Sequence, residues 1–159
     1  SVSTISYFPQ ILYFKGGIMK LWKIFIIPCL LVAKMALAGE VLVVSAESSG
    51  LNSVSVKQVQ AAFLSQPADD GPQIVAVDRQ QTPEHLREIF YEKAVGRSIT
   101  RMKAHWSQLV FTGRGAPPDR AADLDDLKKI LKAKPLAVSY VDASENTSGL
   151  KVLLRLSGE

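Results

Sequence analysis

Polar side chains that could bind a ligand follow three apolar runs of this sequence. They lie in residues 45–50, 78–83 and 142–148, which supply hydroxyls, one guanidinium and several carboxylates. In α/β sheets, ligands bind beyond the carboxyl ends of the strands, where loops lead into helix N-termini. Free amides and the dipole at a helix start attract negative charge, so these segments favour the binding of a small anion. We therefore expect the functional surface there.

The side chains most often used in catalysis do not form a catalytic pattern. His85 and His105 lack the spacing of metal ligands. Glu84, His85 and Glu88 could supply an acid and a base on one helix. A glutamate near a helix start also complements the helix dipole, however, and the other two are expected on the solvent-exposed face. The sequence contains no nucleophile elbow and no glycine-rich NTPase loop. We predict that the protein is not an enzyme and uses no metal and no cofactor.

Residues 19–38 have the organisation of a secretory signal peptide. Lys20 and Lys23 precede an apolar run over residues 24–33, and Ala36-Leu37-Ala38 is a small-x-small cleavage site. The alternative, an uncleaved membrane anchor, needs roughly 20 apolar residues, and this run is shorter. We predict cleavage after Ala38 and export to the bacterial periplasm, with contact to the membrane only through the signal peptide before cleavage.

Two further predictions concern residues 1–18, which precede the signal peptide, and the single cysteine, Cys29. Residues 1–18 are interpreted as an overcalled gene start, because Lys15-Gly16-Gly17 is what a purine-rich ribosome-binding sequence would encode. Cys29 lies inside the apolar run, not at its end, where a lipid anchor would require it. Its removal with the signal peptide excludes thiol catalysis and suits an oxidising compartment. Residues 39–159 are expected to form one domain.

The net charge of +4 comes entirely from the N-terminal segment. Lys15, Lys20, Lys23 and Lys34 lie within residues 1–38, which contain no acidic residue, so the charges of residues 39–159 cancel. A protein that binds nucleic acid carries its positive charge as a patch on its folded part. We therefore predict that nucleic acid is not a partner.

Apolar runs predict four strands. Residues 41–44 and 74–77 are continuous and β-branched, as is typical of strands buried on both faces, and the first is expected to be a central strand. A helix between them predicts a parallel, right-handed strand–helix–strand unit. Residues 136–141 predict a third strand. In the fourth strand, alternation predicts a shared face for Leu150, Val152, Leu154 and Leu156.

Capping residues predict four helices. Their N-terminal signals are Ser55 with Gln58 in a capping box, Thr82 followed by Pro83, and Asp123, and the third helix is expected from about Ser98. Their expected ends are residues 65–67, Gly96, Thr112-Gly113 and Pro135. The third helix is expected to bury Met102, Trp106, Leu109 and Val110. The alternation of strands and helices predicts an α/β fold, a three-layer sandwich with a mostly parallel sheet.

Several segments carry a resemblance to a known family. They are SVKQVQAAFL (55–64), IVAVDR (74–79) leading to LREIFY (86–91), KAHW (103–106) with FTGRG (111–115), and PLAVSYV (135–141). In order and spacing, they resemble the phosphate-type periplasmic substrate-binding proteins of transport systems, and more closely a short, single-lobe group. The resemblance covers nearly all of residues 40–157. It implies one lobe of a type II periplasmic-binding-protein-like fold.

The resemblance also implies a ligand and the residues that hold it. The family binds phosphate with hydroxyls and amides of the loop after the first strand, and with an Arg and a Ser-Gly-Thr run at a helix N-terminus. Here Ser45 and Ser48 stand for the first loop, and Arg79 with Thr82 for the second, where Gln81-Thr82-Pro83 replaces the Ser-Gly-Thr run. The implied function is a solute-binding protein for phosphate or another small oxyanion, with a transporter permease of an ABC system as its partner.

Other interpretations of the same residues remain open. Thr82 fits an N-cap without any ligand, Arg79 fits a local ion pair beside Asp78, and the two serines fit an ordinary polar loop. Arg114, between two glycines, fits either an anion contact or a solvated side chain. The alternative function is a ligand-free interaction or sensor module of the bacterial envelope, with an envelope sensor protein as partner. An exposed apolar surface or a stable dimer would favour it.

Overall fold

The computed structural model describes residues 40–157, which contain one five-stranded sheet with helices packed against it. The strands are β1 (Val41–Ala46), β2 (Val75–Arg79), β3 (Asp119–Ala121), β4 (Ala137–Asp142) and β5 (Leu150–Leu156). Their spatial order is β3-β2-β4-β1-β5. The four predicted strands are confirmed, and β1 lies inside the sheet as expected. Strand β3 was not predicted, because its three residues are too short to show a periodic pattern.

The predicted helices are also present. They are α1 (Val56–Phe63), α2 (Glu84–Phe90), α3 (Ile99–Phe111) and α4 (Leu124–Ala133). Helix α2 continues into a π-helical turn, Tyr91–Val95, which ends at the left-handed Gly96, φ 71°. The caps Ser55 and Asp123 are confirmed, and Ser98 is the cap of α3; each of these side chains accepts a hydrogen bond from a backbone amide of the first turn. The predicted cap Thr82 is wrong: Pro83 occupies the cap position, and the Thr82 hydroxyl donates to the Pro83 carbonyl at 3.1 Å.

The two faces of the sheet carry separate apolar cores, which confirms the three-layer α/β architecture. On one face, Phe63 of α1 and Phe90 of α2 pack against Val43 and Tyr140 of the sheet. On the other face, Leu127 and Leu131 of α4 pack against the sheet residues Leu42, Val44, Val77 and Val141. Because both faces of β1 are covered, every residue of this strand is buried. This is the burial that its continuous apolar run predicts.

Strand β1 runs opposite to the other four strands. It pairs antiparallel with β4 and β5, whereas β2 pairs parallel with β3 and β4. The sheet is therefore mixed, with a single reversed strand, and the predicted parallel unit of β1, α1 and β2 is wrong. Strand β4 lies between β1 and β2, and the reversal of β1 puts its carboxyl end beside the start of β2. The connection through α1 therefore begins and ends at the same end of the sheet.

A β-bulge in the pairing of β1 with β5 breaks the predicted alternation. Val43 pairs with Leu154 and Val44 pairs with Val152, so Leu153 is an extra residue between them. Leu150 and Val152 consequently pack against the α4 core, whereas Leu153, Leu154 and Leu156 pack against the opposite core. The four residues expected to share a face do not, because one inserted residue reverses the side to which the rest of the strand points.

Helix α3 buries less of its apolar surface than expected. Met102 is buried, whereas Trp106 and Leu109 are only half-buried. Val110 is 57% exposed and Phe111 is 93% exposed. Ile99 and Trp106 pack against the core to which Met102 belongs, whereas Val110 and Phe111 of the C-terminal turn are not part of it. The apolar pattern predicted which residues could be buried, but the length of the core determined which ones are.

Two phenylalanines provide a matched test of the core. Phe90 is fully buried, stacked on Tyr140 at a ring-centroid distance of 4.0 Å, whereas Phe111 is exposed. We expect Phe90→Ala to lower the free energy of unfolding by about 3–5 kcal/mol because it leaves a cavity, and Phe111→Ala to change it by less than about 0.5 kcal/mol. Urea unfolding of both variants checks this. Equal losses from the two substitutions would show that the core is placed incorrectly.

Candidate functional site

The reversal of β1 separates the residues predicted to bind an anion. Ser45 lies at the end of β1 and Ser48 follows this strand, near the start of β4, where the Ser49 hydroxyl donates to the Pro135 carbonyl at 2.7 Å. Arg79 and Thr82 lie at the other end of the sheet, Arg79 as the last residue of β2 and Thr82 in the loop that follows. Ser45 is fully buried, and its hydroxyl donates to the adjacent Ala46 carbonyl, whereas Ser48 is exposed. The structure therefore does not bring the four residues together.

Arg79 is engaged in a buried ion pair. Its terminal nitrogens donate to both carboxylate oxygens of Glu145 at 2.7 and 2.8 Å, and one also approaches the Tyr140 carbonyl at 3.4 Å. Glu145 additionally accepts from the Asp142 amide at 2.8 Å. Burial alone would raise the pKa of Glu145, but the hydrogen bonds from Arg79 and Asp142 outweigh it and lower that pKa. The ion-pair interpretation of Arg79 therefore fits the structure, with Glu145 as partner in place of Asp78.

A second buried carboxylate, Asp78, is the centre of a group that the sequence analysis did not assemble. Asp78 is 3% exposed at the end of β2. Its Oδ1 accepts from the Tyr140 hydroxyl at 2.7 Å, and its Oδ2 accepts from Arg87 Nη2 at 2.6 Å. Arg120 of β3, paired with Asp78 in the strand register, places its Nε 3.5 Å from the same Oδ2. Three elements thus supply partners to one carboxylate.

The aromatic and basic side chains around Asp78 influence one another's protonation. Burial and the nearby Asp78 charge raise the pKa of Tyr140 far above its ordinary value, so its hydroxyl remains a donor. Burial alone would lower the pKa of Arg87, but the Asp78 carboxylate raises it. The Arg87 guanidinium also lies over the Tyr91 ring, 5.6 Å from the ring centroid. Arg87 therefore keeps its positive charge in this partly buried position.

These residues line a cleft of about 410 Å³ between α3, the end of β2 and β3, which we call the Asp78 cleft. Its charged lining residues are Asp78, Arg87, Lys103 and Arg120, three positive charges against one negative. Since Asp78 already accepts from Tyr140 and Arg87, an excess of positive charge remains. A partly enclosed cleft with excess positive charge attracts an anion. This is the arrangement in the structure with the clearest binding chemistry.

Two further cavities of about 470 Å³ each carry weaker arrangements. One lies between α1, β2 and residues 116–119, and Asp119 is its single charged lining residue. The other is a shallow surface formed by Arg97, Arg101 and His105. Neither contains a buried charged side chain comparable to Asp78. The run of residues 93–118, which contains Lys and Arg but no Asp or Glu, could have pointed to Lys103, whereas Asp78, Arg87 and Arg120 lie outside it.

The described part of the chain offers no other obvious chemistry. Among residues 40–157, no three His, Cys, Asp or Glu side chains are grouped so that they could hold a metal ion. Within the same residues, no helix has the length and apolar character needed to cross a membrane. The predicted signal peptide at residues 19–38 lies outside the described residues and stays a prediction.

Solved structures with a partly similar backbone include two phosphate-transport proteins. One is described as a phosphate ABC transporter substrate-binding protein with bound phosphate, from Clostridium perfringens; it is 14% identical over 73% of this chain and 44% of that chain, with a TM-score of 0.48. The other is an ABC-type phosphate transport receptor from Vibrio cholerae, 12% identical over 73% of this chain and 45% of that chain, with a TM-score of 0.42. This chain therefore spans less than half the length of either protein. No protein-family model and no curated protein matches it.

The Arg79–Glu145 pair predicts a specific pH dependence of stability. We expect Glu145→Gln to lower the free energy of unfolding by about 3 kcal/mol at pH 7, because it leaves the buried Arg79 without its counter-charge. The folded-state pKa of Glu145 lies below its unfolded value. The difference between wild type and variant should therefore persist above the unfolded pKa, about 4.3, and shrink as the pH falls through the folded pKa.

Urea unfolding between pH 7 and pH 2.5 measures this difference. The matched control is the exposed Glu88→Gln on α2, which should unfold like the wild type at every pH. A difference between Glu145→Gln and wild type that is independent of pH would contradict the assigned ion pair.

Proposed function

We propose that this protein binds a small oxyanion, such as phosphate, and that the ligand lies in the Asp78 cleft. The observation that carries the proposal is the excess of positive charge around a carboxylate that already has its partners. Among the described residues, Lys103 makes no salt bridge, and Arg120 contacts Asp78 only through Nε at 3.5 Å. Their remaining donors can pair with an incoming oxyanion through charge-assisted hydrogen bonds.

The proposed binding residues differ from those that the sequence analysis predicted. Using Arg79 as a ligand would require breaking two short hydrogen bonds to Glu145. Ser45 is buried with its hydroxyl engaged, and Ser48 and Thr82 lie at opposite ends of the sheet. Lys103 and Arg120, in contrast, line the same cleft. Binding without chemistry accords with the prediction that the protein is not an enzyme.

The place of the protein in the cell is part of the same proposal. The predicted signal peptide at residues 19–38 supports export to the periplasm, and the resemblance found in the sequence supports delivery of the oxyanion to the permease of an ABC transport system. The resemblance implies a single lobe, and the site of a single lobe would be open on one side unless a partner covered it. A transporter subunit would be such a partner.

Calorimetric titration with phosphate and sulfate, at low ionic strength to limit screening, tests the proposal. We expect Lys103→Gln and Arg120→Gln each to weaken binding by at least about tenfold, since a hydrogen bond between charged groups contributes about 1.5–3 kcal/mol. Lys129→Gln, which removes an exposed charge from α4 on the other face of the sheet, should have no effect.

Two further variants separate the Asp78 cleft from the site implied by the sequence. Ser48→Ala and Thr82→Ala should leave the affinity unchanged. A loss of binding in these variants, with Lys103→Gln unaffected, would return the site to the loops after β1 and β2. No binding of any oxyanion by the folded protein would refute the proposed function.

A second candidate function is favoured by the exposed end of α3. Val110 and Phe111 are 57% and 93% exposed, and an exposed aromatic side chain is a common contact in protein interfaces. This surface accords with the ligand-free interaction module, whose partner would be an envelope sensor protein or a second copy of this chain.

Sedimentation velocity distinguishes the two candidates. If the protein is a self-associating interaction module, the wild type should sediment as a dimer at micromolar concentration, and Phe111→Ser should sediment as a monomer. Phe111→Ser should fold normally, because the ring contributes little to the core. A monomeric wild type that binds an oxyanion would favour the first function.

A further inference from the structure

The Asp78 cleft combines its charges with an apolar wall. Besides the charged residues, its lining includes Ile99, Met102, Trp106, Pro117 and Pro118. Binding of a bare inorganic oxyanion requires only donors and positive charge. The apolar residues therefore point to a second property of the ligand, namely a part that has no charge.

One face of α3 places the two kinds of residue side by side. Lys103 and Trp106 are three residues apart, and Met102 and Trp106 are four apart, spacings that bring side chains together on a helix surface. Met102 is buried in the core, Trp106 is half-buried, and Lys103 is exposed. The indole of Trp106 therefore contributes apolar surface to the same cleft that Lys103 lines.

Positive charge and apolar surface are also adjacent in the part of the cleft formed by β3 and the residues just before it. The Arg120 side chain, 46% exposed, belongs to β3, and Pro117 and Pro118 immediately precede this strand. The residues that line the cleft thus place positive charge next to flat apolar surface on both sides. A ligand that matched both surfaces would have an anionic group joined to a flat apolar group.

The size of the cleft agrees with such a ligand. Its volume of about 410 Å³ is more than ten times the roughly 30 Å³ that one water molecule occupies in the liquid. Cavities of about 300–1,000 Å³ are typical of sites for organic molecules. Inorganic phosphate would leave the indole and the prolines in contact with water, whereas an organic anion would cover them and gain from their burial.

We propose that the ligand of the Asp78 cleft is an organic oxyanion, a carboxylate or phosphate ester carried on a flat apolar body such as an aromatic ring. The anionic group pairs with Lys103 and Arg120, and the flat body packs on Trp106 between α3 and the two prolines. This inference rests on the proposed function, because it concerns the same site. It adds that the apolar body, and not the charge alone, determines the affinity.

Ligand pairs with the same anionic group test the inference. Phenyl phosphate is compared with inorganic phosphate, and benzoate with acetate, by calorimetric titration of the full chain at low ionic strength. We expect the aromatic member of each pair to bind at least about tenfold more tightly. The chain contains two tryptophans, so Trp22→Phe leaves Trp106 as the only source of tryptophan fluorescence. In this variant, phenyl phosphate should change the fluorescence, and the titration should give the same affinity as calorimetry.

Variants of α3 connect the preference to the proposed contacts. Trp106→Leu keeps apolar volume toward the core but removes the flat ring, and we expect this variant to bind phenyl phosphate no more tightly than phosphate. Trp106→Phe should restore most of the preference. Lys103→Gln should weaken binding of both ligands, and Arg101→Gln, on the neighbouring shallow surface, should weaken neither.

The outcomes separate the inference from the proposed function. If phosphate and phenyl phosphate bind equally well, the inference is wrong and the oxyanion site remains. A preference for phenyl phosphate that survives Trp106→Leu, in a variant with a normal unfolding transition, also overturns the inference, because the ring would then bind elsewhere. If none of the four anions binds to the folded protein, the proposed function fails together with the inference.

Discussion

The organisation of this domain depends on the pairing of one buried carboxylate. Asp78 is 3% exposed, and a carboxylate removed from water costs free energy unless it accepts hydrogen bonds or lies beside positive charge. Its partners come from three separate elements: Tyr140 of β4, Arg87 of α2 and Arg120 of β3. The stack of Phe90 on Tyr140 holds the tyrosine in place, which joins the apolar core to the polar group. The need of Asp78 for partners therefore orients both β3, at the edge of the sheet, and α2.

The carboxylate also explains why a cleft with excess positive charge exists. Two arginines approach one carboxylate, which needs only one positive charge for neutrality, and Lys103 adds another positive charge across the cleft. The proposed anion, bound in the cleft, would reduce the repulsion among these three positively charged residues.

The second ion pair, Arg79 with Glu145, shows how similar chemistry can serve stability alone. Both pairs lie at the carboxyl ends of parallel strands, where ligands of α/β proteins usually bind. Arg79 nevertheless has one counter-charge, the Glu145 carboxylate, to which it donates two hydrogen bonds. This ion pair connects the loop after β4 to the end of β2. A matched pair has no charge left for a ligand. The number of partners around each charge therefore distinguishes a structural ion pair from a binding site.

Local patterns in the sequence determined the elements. The caps at Ser55 and Asp123, the start of α3 at Ser98, the buried run of β1 and the end of the π-helical turn at Gly96 were all predicted, because each depends on residues close in the chain. Only the tertiary structure decided the direction of β1, the extra residue at Leu153 and the partners of Asp78 and Arg79. An apolar run looks the same in either direction, so the sequence could not show that residues 45–50 and 78–83 lie at opposite ends of the sheet. The partners of a buried charge lie far away in the chain, and they are selected by the free energy of desolvation, which exists only once the chain has folded.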